Sequence, residues 1–343
     1  MKQQSIFRLG DEELFASRRR FMGMVPGVAA FAMGADLAQA QAPSGDIPTA
    51  PVKLLVGFAP GTSPDVAARI LALQVEKTWK AGVIVENRPG AGGGIAAAAV
   101  GAAAPDGLTL LWGSTAEIAI APALSPKLSF DPSRLRPIMD LMTSEMLFVT
   151  GAQVPVKTMA EFAQWSQAKS PLLIGTFGPG SAHHLLSLLL GRALGRPVEP
   201  VHYRATNDVV RDLSANDQLH GAFATAILVR TWAAAGKAKV LGVVTDRGST
   251  IFPDAPTFRA LGLSQVELPS WTGLFGPPGI SDALMARAYG AFSAGLRAPE
   301  LRGRAAELGY IIFDNPYGSF EQRVRNDRLK LVQIVNDFNL KVE

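Results

Sequence analysis

Val52-Lys53-Leu54-Leu55-Val56-Gly57-Phe58-Ala59-Pro60-Gly61-Thr62-Ser63-Pro64-Asp65 contains a strand, a turn and the start of a helix in immediate succession. The run 52–56 is short, apolar and rich in branched residues, as a buried strand requires. Gly57 and Pro60-Gly61 break it. Gly61 lets the backbone approach a neighbour closely, Thr62 and Ser63 bring hydroxyls, and Pro64 suits a first helical turn. Asp65 puts an acid at the positive end of the helix dipole, where it caps amides with or without a ligand. From 65 to 80 the apolar positions Val66, Ile70, Leu73 and Val75 predict a helix.

The alternation continues along the chain. A strand is predicted at 83–85, a glycine-rich loop at 88–94, an Ala-rich helix at 95–104 and a strand at 108–112. Strands and helices at this spacing imply right-handed βαβ units and a parallel sheet. Further strands are predicted at 146–150, 172–176, 198–203, 221–225, 240–245 and 271–276, with helices at 159–169, 182–194, 282–296 and 320–337. The sequence carries no solenoid repeat and no low-complexity linker, so two α/β lobes joined by crossing strands are expected. Lobe 1 is discontinuous, 43–150 with 271–343, and lobe 2 is 151–270.

Ligands in open α/β sheets bind beyond the carboxyl ends of the strands, where helix starts and backbone amides converge. Small and hydroxyl residues stand at those places three times: in Phe58 to Asp65, in Gly113-Ser114-Thr115, and in Phe177-Gly178-Pro179-Gly180-Ser181-Ala182-His183. Together they would form an anion-receptive cleft, although any one of them alone reads more readily as an ordinary helix cap. Gly90-Ala91-Gly92-Gly93-Gly94 lacks the Lys-Ser/Thr of a phosphate loop and the spacing of a dinucleotide fingerprint. It is expected to permit close helix packing. His183 is open to both a ligand and a surface role, and His220 reads as structural. There is no G-x-S-x-G elbow and no carboxylate pair set for acid–base work, so nothing supports an enzyme.

Composition narrows the classes further. The chain has 343 residues, 48% hydrophobic and 18% charged, with no cysteine and four histidines. Disulfides, thiolate metal sites and a lipid-anchored cysteine are excluded, and no histidine spacing suggests zinc. Residues 1–42 read as a signal peptide: Arg18-Arg19-Arg20, a weakly apolar stretch, then Ala38-Gln39-Ala40-Gln41-Ala42. The arginines resemble a twin-arginine signal, with general secretory export as the alternative. Without these residues 28 basic face 25 acidic side chains, with no basic run dense enough to track a nucleic acid. No later apolar stretch is long enough to span a membrane. A soluble periplasmic protein is expected.

The loops, read together, resemble a known family. Val56 to Arg69, then Val85-Glu86-Asn87-Arg88-Pro89-Gly90-Ala91-Gly92-Gly93, are similar to the Bug-type receptors, the periplasmic subunits of tripartite tricarboxylate transporters. Pro105-Asp106-Gly107, Gly178 to Leu185, Val201 to Ala205, Phe252 to Phe258 and Trp271 to Gly279 follow in the family's order. The resemblance implies a type II periplasmic-binding-protein fold, two lobes with a ligand cleft between them. It also implies a solute-binding protein that captures a small carboxylate-bearing metabolite, an organic acid or amino acid, for a membrane permease of the tripartite type. A periplasmic sensor or scaffold of the same fold is the alternative. No cofactor, metal or nucleic acid is implied, and a monomer is expected. Carried over residue by residue, the ligand-binding positions are Phe58, Gly61, Thr62, Ser63 and Asp65, with Ser114 and Thr115 beside them. From the second lobe come Gly178, Gly180, Ser181, His183, Ala205 and Asp208. This chain departs from the family at Thr62, where a second glycine is usual. It departs again at Tyr203-Arg204-Ala205, in place of Tyr-Lys-Gly, and at Asp217-Gln218-Leu219-His220, in place of Gly-Gln-Val-Asp. These departures bear on which ligand is taken.

Overall fold

The computed structural model describes residues 50–340 apart from 80, 81, 126, 127, 129, 216, 217 and 246. The expected signal peptide lies outside the described residues. In chain order the first half comprises β1 (Val52–Val56), α1 (Ser63–Glu76), β2 (Val83–Asn87), α2 (Gly94–Gly101) and β3 (Thr109–Ser114). A π-helical turn, Ala116–Ile120, leads into α3 (Ala121–Leu124), followed by β4 (Arg136–Ser144). The second half begins with β5 (Met146–Gly151), α4 (Met159–Trp165), β6 (Leu172–Thr176), α5 (Ala182–Leu194) and β7 (Val198–His202). Then come α6 (Thr206–Leu213), β8 (Gly221–Thr225), α7 (Ala226–Ala234) and β9 (Ala238–Val243). The chain closes with β10 (Thr272–Gly276), α8 (Asp282–Leu296), α9 (Pro299–Glu307), β11 (Tyr310–Ile312) and α10 (Ser319–Asp337).

The strands form two sheets, ordered β11-β4-β10-β3-β1-β2 and β7-β6-β8-β5-β9. Each is built around a parallel triplet with its first strand in the middle: β2-β1-β3 in one and β7-β6-β8 in the other. That is the βαβ geometry expected from the spacing. Neither sheet is wholly parallel, however. β10 is antiparallel to β3 and β4, and β5 is antiparallel to β8 and β9. The exchange of strands between lobes explains this, because a strand arriving from the other sheet need not follow the βαβ direction.

Burial follows the period of a strand. Leu54, Val56, Leu110, Trp112 and Leu274 pack on one face of the first sheet against Leu71, Val75 and Phe292 of α1 and α8. Leu55, Leu111 and Phe275 point to the other face, against Ala96 and Val100 of α2 and Phe320 and Val324 of α10. The same cluster continues through Trp271 into Phe148 and into Leu185, Leu186 and Leu189 of α5. A third cluster covers the far face of the second sheet with α6 and α7.

The changeover between sheets falls at Glu145, five residues before the expected boundary at 150, because β5 pairs wholly within the second sheet. Glu145 is fully buried. Its carboxylate accepts from the Thr250 amide at 2.8 Å and hydroxyl at 2.6 Å, and from the Ser249 hydroxyl. One crossover is thereby tied to the returning segment. Among the described residues no helix is long and apolar enough to cross a membrane.

Candidate ligand-binding site

The loops that follow the two central strands, β1 and β6, have the same construction. In the first, Gly61 has φ +79° and its N–H donates to Asp65 Oδ2 at 2.8 Å. In the second, Gly180 has φ +72° and its N–H donates to His184 Nδ1 at 3.0 Å. Each glycine is in the left-handed region that side chains disfavour, and each is held by the residue four places on. The next residue starts the helix in extended geometry: Thr62 at φ −73°, ψ 159°, and Ser181 at φ −68°, ψ 161°. Thr62 Oγ1 donates to the Ala59 carbonyl at 2.7 Å, and Ser181 Oγ to the Gly178 carbonyl at 2.8 Å. The two lobes thus present one motif twice.

What fastens the motif differs. Asp65 is buried and accepts from Arg69 Nε at 3.0 Å and Asn87 Nδ2 at 2.8 Å as well as from Gly61. Asn87 in turn accepts from Arg69 at 2.8 Å and donates to the Phe58 carbonyl at 3.0 Å. Burial alone would raise the Asp65 pKa, but the bonds from Arg69, Gly61 and Asn87 bring it below the ordinary carboxylate value. The lock of the second loop carries no charge. Because His184 Nδ1 accepts from Gly180, the neutral ring holds its proton on Nε2. Burial, then the neighbouring His202, push the His184 pKa down to about 4. The His184 and His202 rings meet edge to face at 4.9 Å, and His202 Nδ1 lies 2.6 Å from Thr176 Oγ1. His183 packs edge-on against Phe177, its Nδ1 buried with no partner among the described residues, and burial pushes its pKa to about 4 too.

β3 runs two residues further than the sequence predicted, so Gly113 and Ser114 are strand residues and Thr115 opens the π-helical turn. Thr115 is fastened to Trp271: its N–H and Oγ1 meet the Trp271 carbonyl at 3.1 Å, and its Oγ1 accepts from the Trp271 N–H at 2.9 Å. Ser114 is fastened to Glu117, which the sequence reading did not single out. The Ser114 N–H donates to Glu117 Oε1 at 2.6 Å, and the Ser114 hydroxyl bonds to Glu117 Oε2. Burial pushes the Glu117 pKa up to about 7, against the lowering effect of these bonds. The glycine-rich loop packs here as expected. A Cβ on Gly57 would lie 2.6 Å from Gly93 Cα, and one on Gly93 would lie 2.9 Å from Glu117 Cδ.

In the second lobe, Ala205 starts α6 and Asp208 sits in its first turn, where its exposed carboxylate pairs with Arg211 at 2.7 Å. Ser63, Ser144 and the buried Tyr310 form a hydrogen-bonded group that links the first loop to the end of β4. Ser144 and Ala182 line one cavity of about 260 Å³ at the crossover, with Arg247, Arg323 and Ser270. Tyr310 and Ser144 also escaped the sequence reading, since β11 is only three residues long.

The structure therefore groups the predicted positions into two helix-start loops with flanking residues at neighbouring strand ends. It also assigns most of their side-chain hydrogens inward. The hydroxyls of Thr62, Thr115 and Ser181 donate to backbone carbonyls, and the Asp65 carboxylate is occupied. What helix geometry leaves without an intrahelical partner is backbone: the amides of Ser63 and Asp65 in α1, and of Ala182 and His183 in α5. Such amides carry partial positive charge and hold anions without a counter-ion. Among the described residues no His, Asp or Glu group is arranged to hold a metal ion.

Comparison with known proteins agrees with this architecture. Residues 67–340 match the family described as the tripartite tricarboxylate transporter family receptor. A UPF0065 protein of Bordetella pertussis is 31% identical over 264 residues, which cover 77% of this chain and 81% of that protein. Protein BugT of the same species is 29% identical over 239 residues, covering 68% and 72%. Among solved structures, MatC of Rhodopseudomonas palustris with bound malate superposes with a TM-score of 0.69 at 29% identity, over 84% of this chain and 99% of that one. The periplasmic binding protein BugD gives 0.70 at 25% identity, over 85% and 99%.

Proposed function

Because the chain belongs to the family of tripartite tricarboxylate transporter receptors, with the type II periplasmic-binding-protein fold, we propose that it captures a small carboxylate-bearing metabolite between its lobes. Its place is the periplasm, its partner a membrane permease of the tripartite type, and its task is binding without chemistry. The lobes are those of the two sheets, joined at Glu145 and through 244–271. The observation that carries the reading is the repeated motif: each lobe offers two helix-start amides without an intrahelical partner beside a glycine locked at positive φ. A dicarboxylate or a 2-substituted acid matches two such anion seats. Malate in the related MatC structure supports that class.

At the two helix starts the carboxylate meets backbone amides rather than the Thr62 and Ser181 hydroxyls, which donate to backbone carbonyls, and this sets the test. Ala182→Pro deletes one amide at a position where proline suits the helix, and Ser181 already has the extended geometry that must precede proline. A panel of C4–C6 organic acids should raise the melting temperature for at least one member. The Ala182→Pro protein should remain folded by circular dichroism and bind that acid about 10- to 100-fold more weakly in calorimetry, the loss of one charge-assisted hydrogen bond. Unchanged affinity in the folded variant would move the anion away from α5.

A further inference from the structure

Glu117 is a buried acid with no counter-ion among the described residues, placed at the same sheet edge as the first anion seat. It lies three residues beyond Ser114, at the carboxyl end of β3, and β3 pairs directly with β1, whose loop presents the Ser63 and Asp65 amides. Its partners are the amide and hydroxyl of Ser114. The charged groups on the elements packed around it are engaged elsewhere. On α10, Arg323 pairs with Asp140 and Asp327, Asp327 accepts from the Trp271 indole, and Lys330 acts on Asp327. Arg328 and, on the turn before β4, Arg134 act on Asp131, while Arg88 of the glycine-rich loop pairs with Glu86. On its remaining side stand Gly93 and α3, which carries no charge.

We propose that Glu117 takes up a proton when the ligand's carboxylate is captured, making it the positioning residue that decides whether the Ser114 hydroxyl accepts or donates. This rests on the reading of the cleft as a carboxylate site. With Glu117 ionised, the Ser114 hydroxyl gives its hydrogen to the carboxylate, and its oxygen also accepts from the Ala116 amide at 3.3 Å. Such a hydroxyl has nothing to offer an anion. With Glu117 protonated, the acid donates to Ser114 Oγ, and the serine hydrogen is released for the ligand. An arriving anion favours the second arrangement twice over, by repelling the buried charge and by accepting the freed hydrogen. The proton comes from solvent, and no covalent bond changes. A Glu117 pKa near 7 places the exchange within reach of physiological pH.

The experiment is calorimetry of malate, succinate and adipate in pairs of buffers with different ionisation enthalpies, from pH 6.5 to 8.5, where both carboxyls of each acid are largely ionised. The expected result is uptake of about a quarter of a proton per ligand at pH 6.5, about half at pH 7 and close to one at pH 8.5, with affinity falling roughly tenfold per pH unit at the alkaline end. Glu117→Gln mimics the protonated acid, its amide donating to Ser114 Oγ while its carbonyl accepts from the Ser114 amide. That variant should bind with no proton uptake and no pH dependence over the range. Binding with buffer-independent heats in the wild type, or uptake that persists in Glu117→Gln, overturns the assignment and leaves the carboxylate cleft standing. If none of the acids binds at any pH, the cleft reading falls and the inference falls with it. Should Glu117→Gln not fold, buffer-independent heats in the wild type still overturn the proposal, and the His183 and His184 rings, with pKa values near 4, lie below the window.

Discussion

The loop after β1 and the loop after β6 hold the same backbone shape by different chemistry. In both, a glycine at positive φ donates to the side chain four residues on, and a hydroxyl residue starts the helix. Asp65 does this as a charged acceptor braced by Arg69 and Asn87, so the first loop is tied to β2 as well as to its own helix. His184 does it as a neutral ring braced by His202 of β7. A carboxylate lock keeps its acceptors at any pH above its own low pKa, whereas an imidazole lock exists only while the ring is unprotonated. The two halves of one cleft should therefore respond differently to the same perturbation.

Acidification should separate them most. The folded-state pKa of His184 is about 4, below its ordinary value of 6.5, so its contribution is complete above about pH 6.5 and is lost as pH falls towards 4. The cost on reaching pH 4 is on the order of 3 kcal/mol for this ring, read as a fall in melting temperature. Asp65, with its pKa lowered, loses its contribution only below the ordinary carboxylate value. Protection of the Gly180 amide from exchange, relative to its intrinsic rate at each pH, should consequently fall between pH 6.5 and 4 while protection at Gly61 does not. An equal fall at both would erase the distinction between the locks.

Substitution at neutral pH should reverse the ranking. Asp65→Ala removes a buried acceptor and strands the Gly61 and Asn87 donors, at a cost of about 2–3 kcal/mol in urea unfolding. His184→Ala removes one neutral hydrogen bond and a ring contact, about 1–2 kcal/mol. A larger loss at His184 than at Asp65 would mean that the second loop carries more of the cleft's stability than its hydrogen bonds show. Gly61→Ala and Gly180→Ala should be the mildest pair, each about 1 kcal/mol and equal to one another, since the two glycines share nearly the same φ. Unequal costs would show that the likeness of the two loops is confined to the backbone.

The strands and helices flanking these loops were legible because their signals are local. The run 52–56, the hydroxyl-plus-proline helix start and the apolar spacing of α1 each depend on residues within about four positions. β4 was not legible. Its sequence, RPIMDLMTS, opens on Arg-Pro and carries Asp140 mid-strand, which argues against a buried strand until Arg323 and Asn315 neutralise that acid from 183 and 175 residues away. α9 is rich in charge, and β11 takes its meaning only from pairing with β4. The glycine-rich loop was placed correctly as a packing element, because its spacing matches no phosphate-binding fingerprint.

The candidate site divides along the same line. That Gly61-Thr62 and Gly180-Ser181 open helices follows from the sequence, since a helix start is made by consecutive residues. Which of their groups remain for a ligand does not follow from it. Thr115 is taken out of use by Trp271, 156 positions away, and the Glu117 carboxyl is stripped of water by a glycine loop, a π-helical turn and the last helix of the chain. Hydrogen-bonding capacity and burial are properties of what lies nearby in space, and here the neighbours that decide them come from opposite ends of the polypeptide.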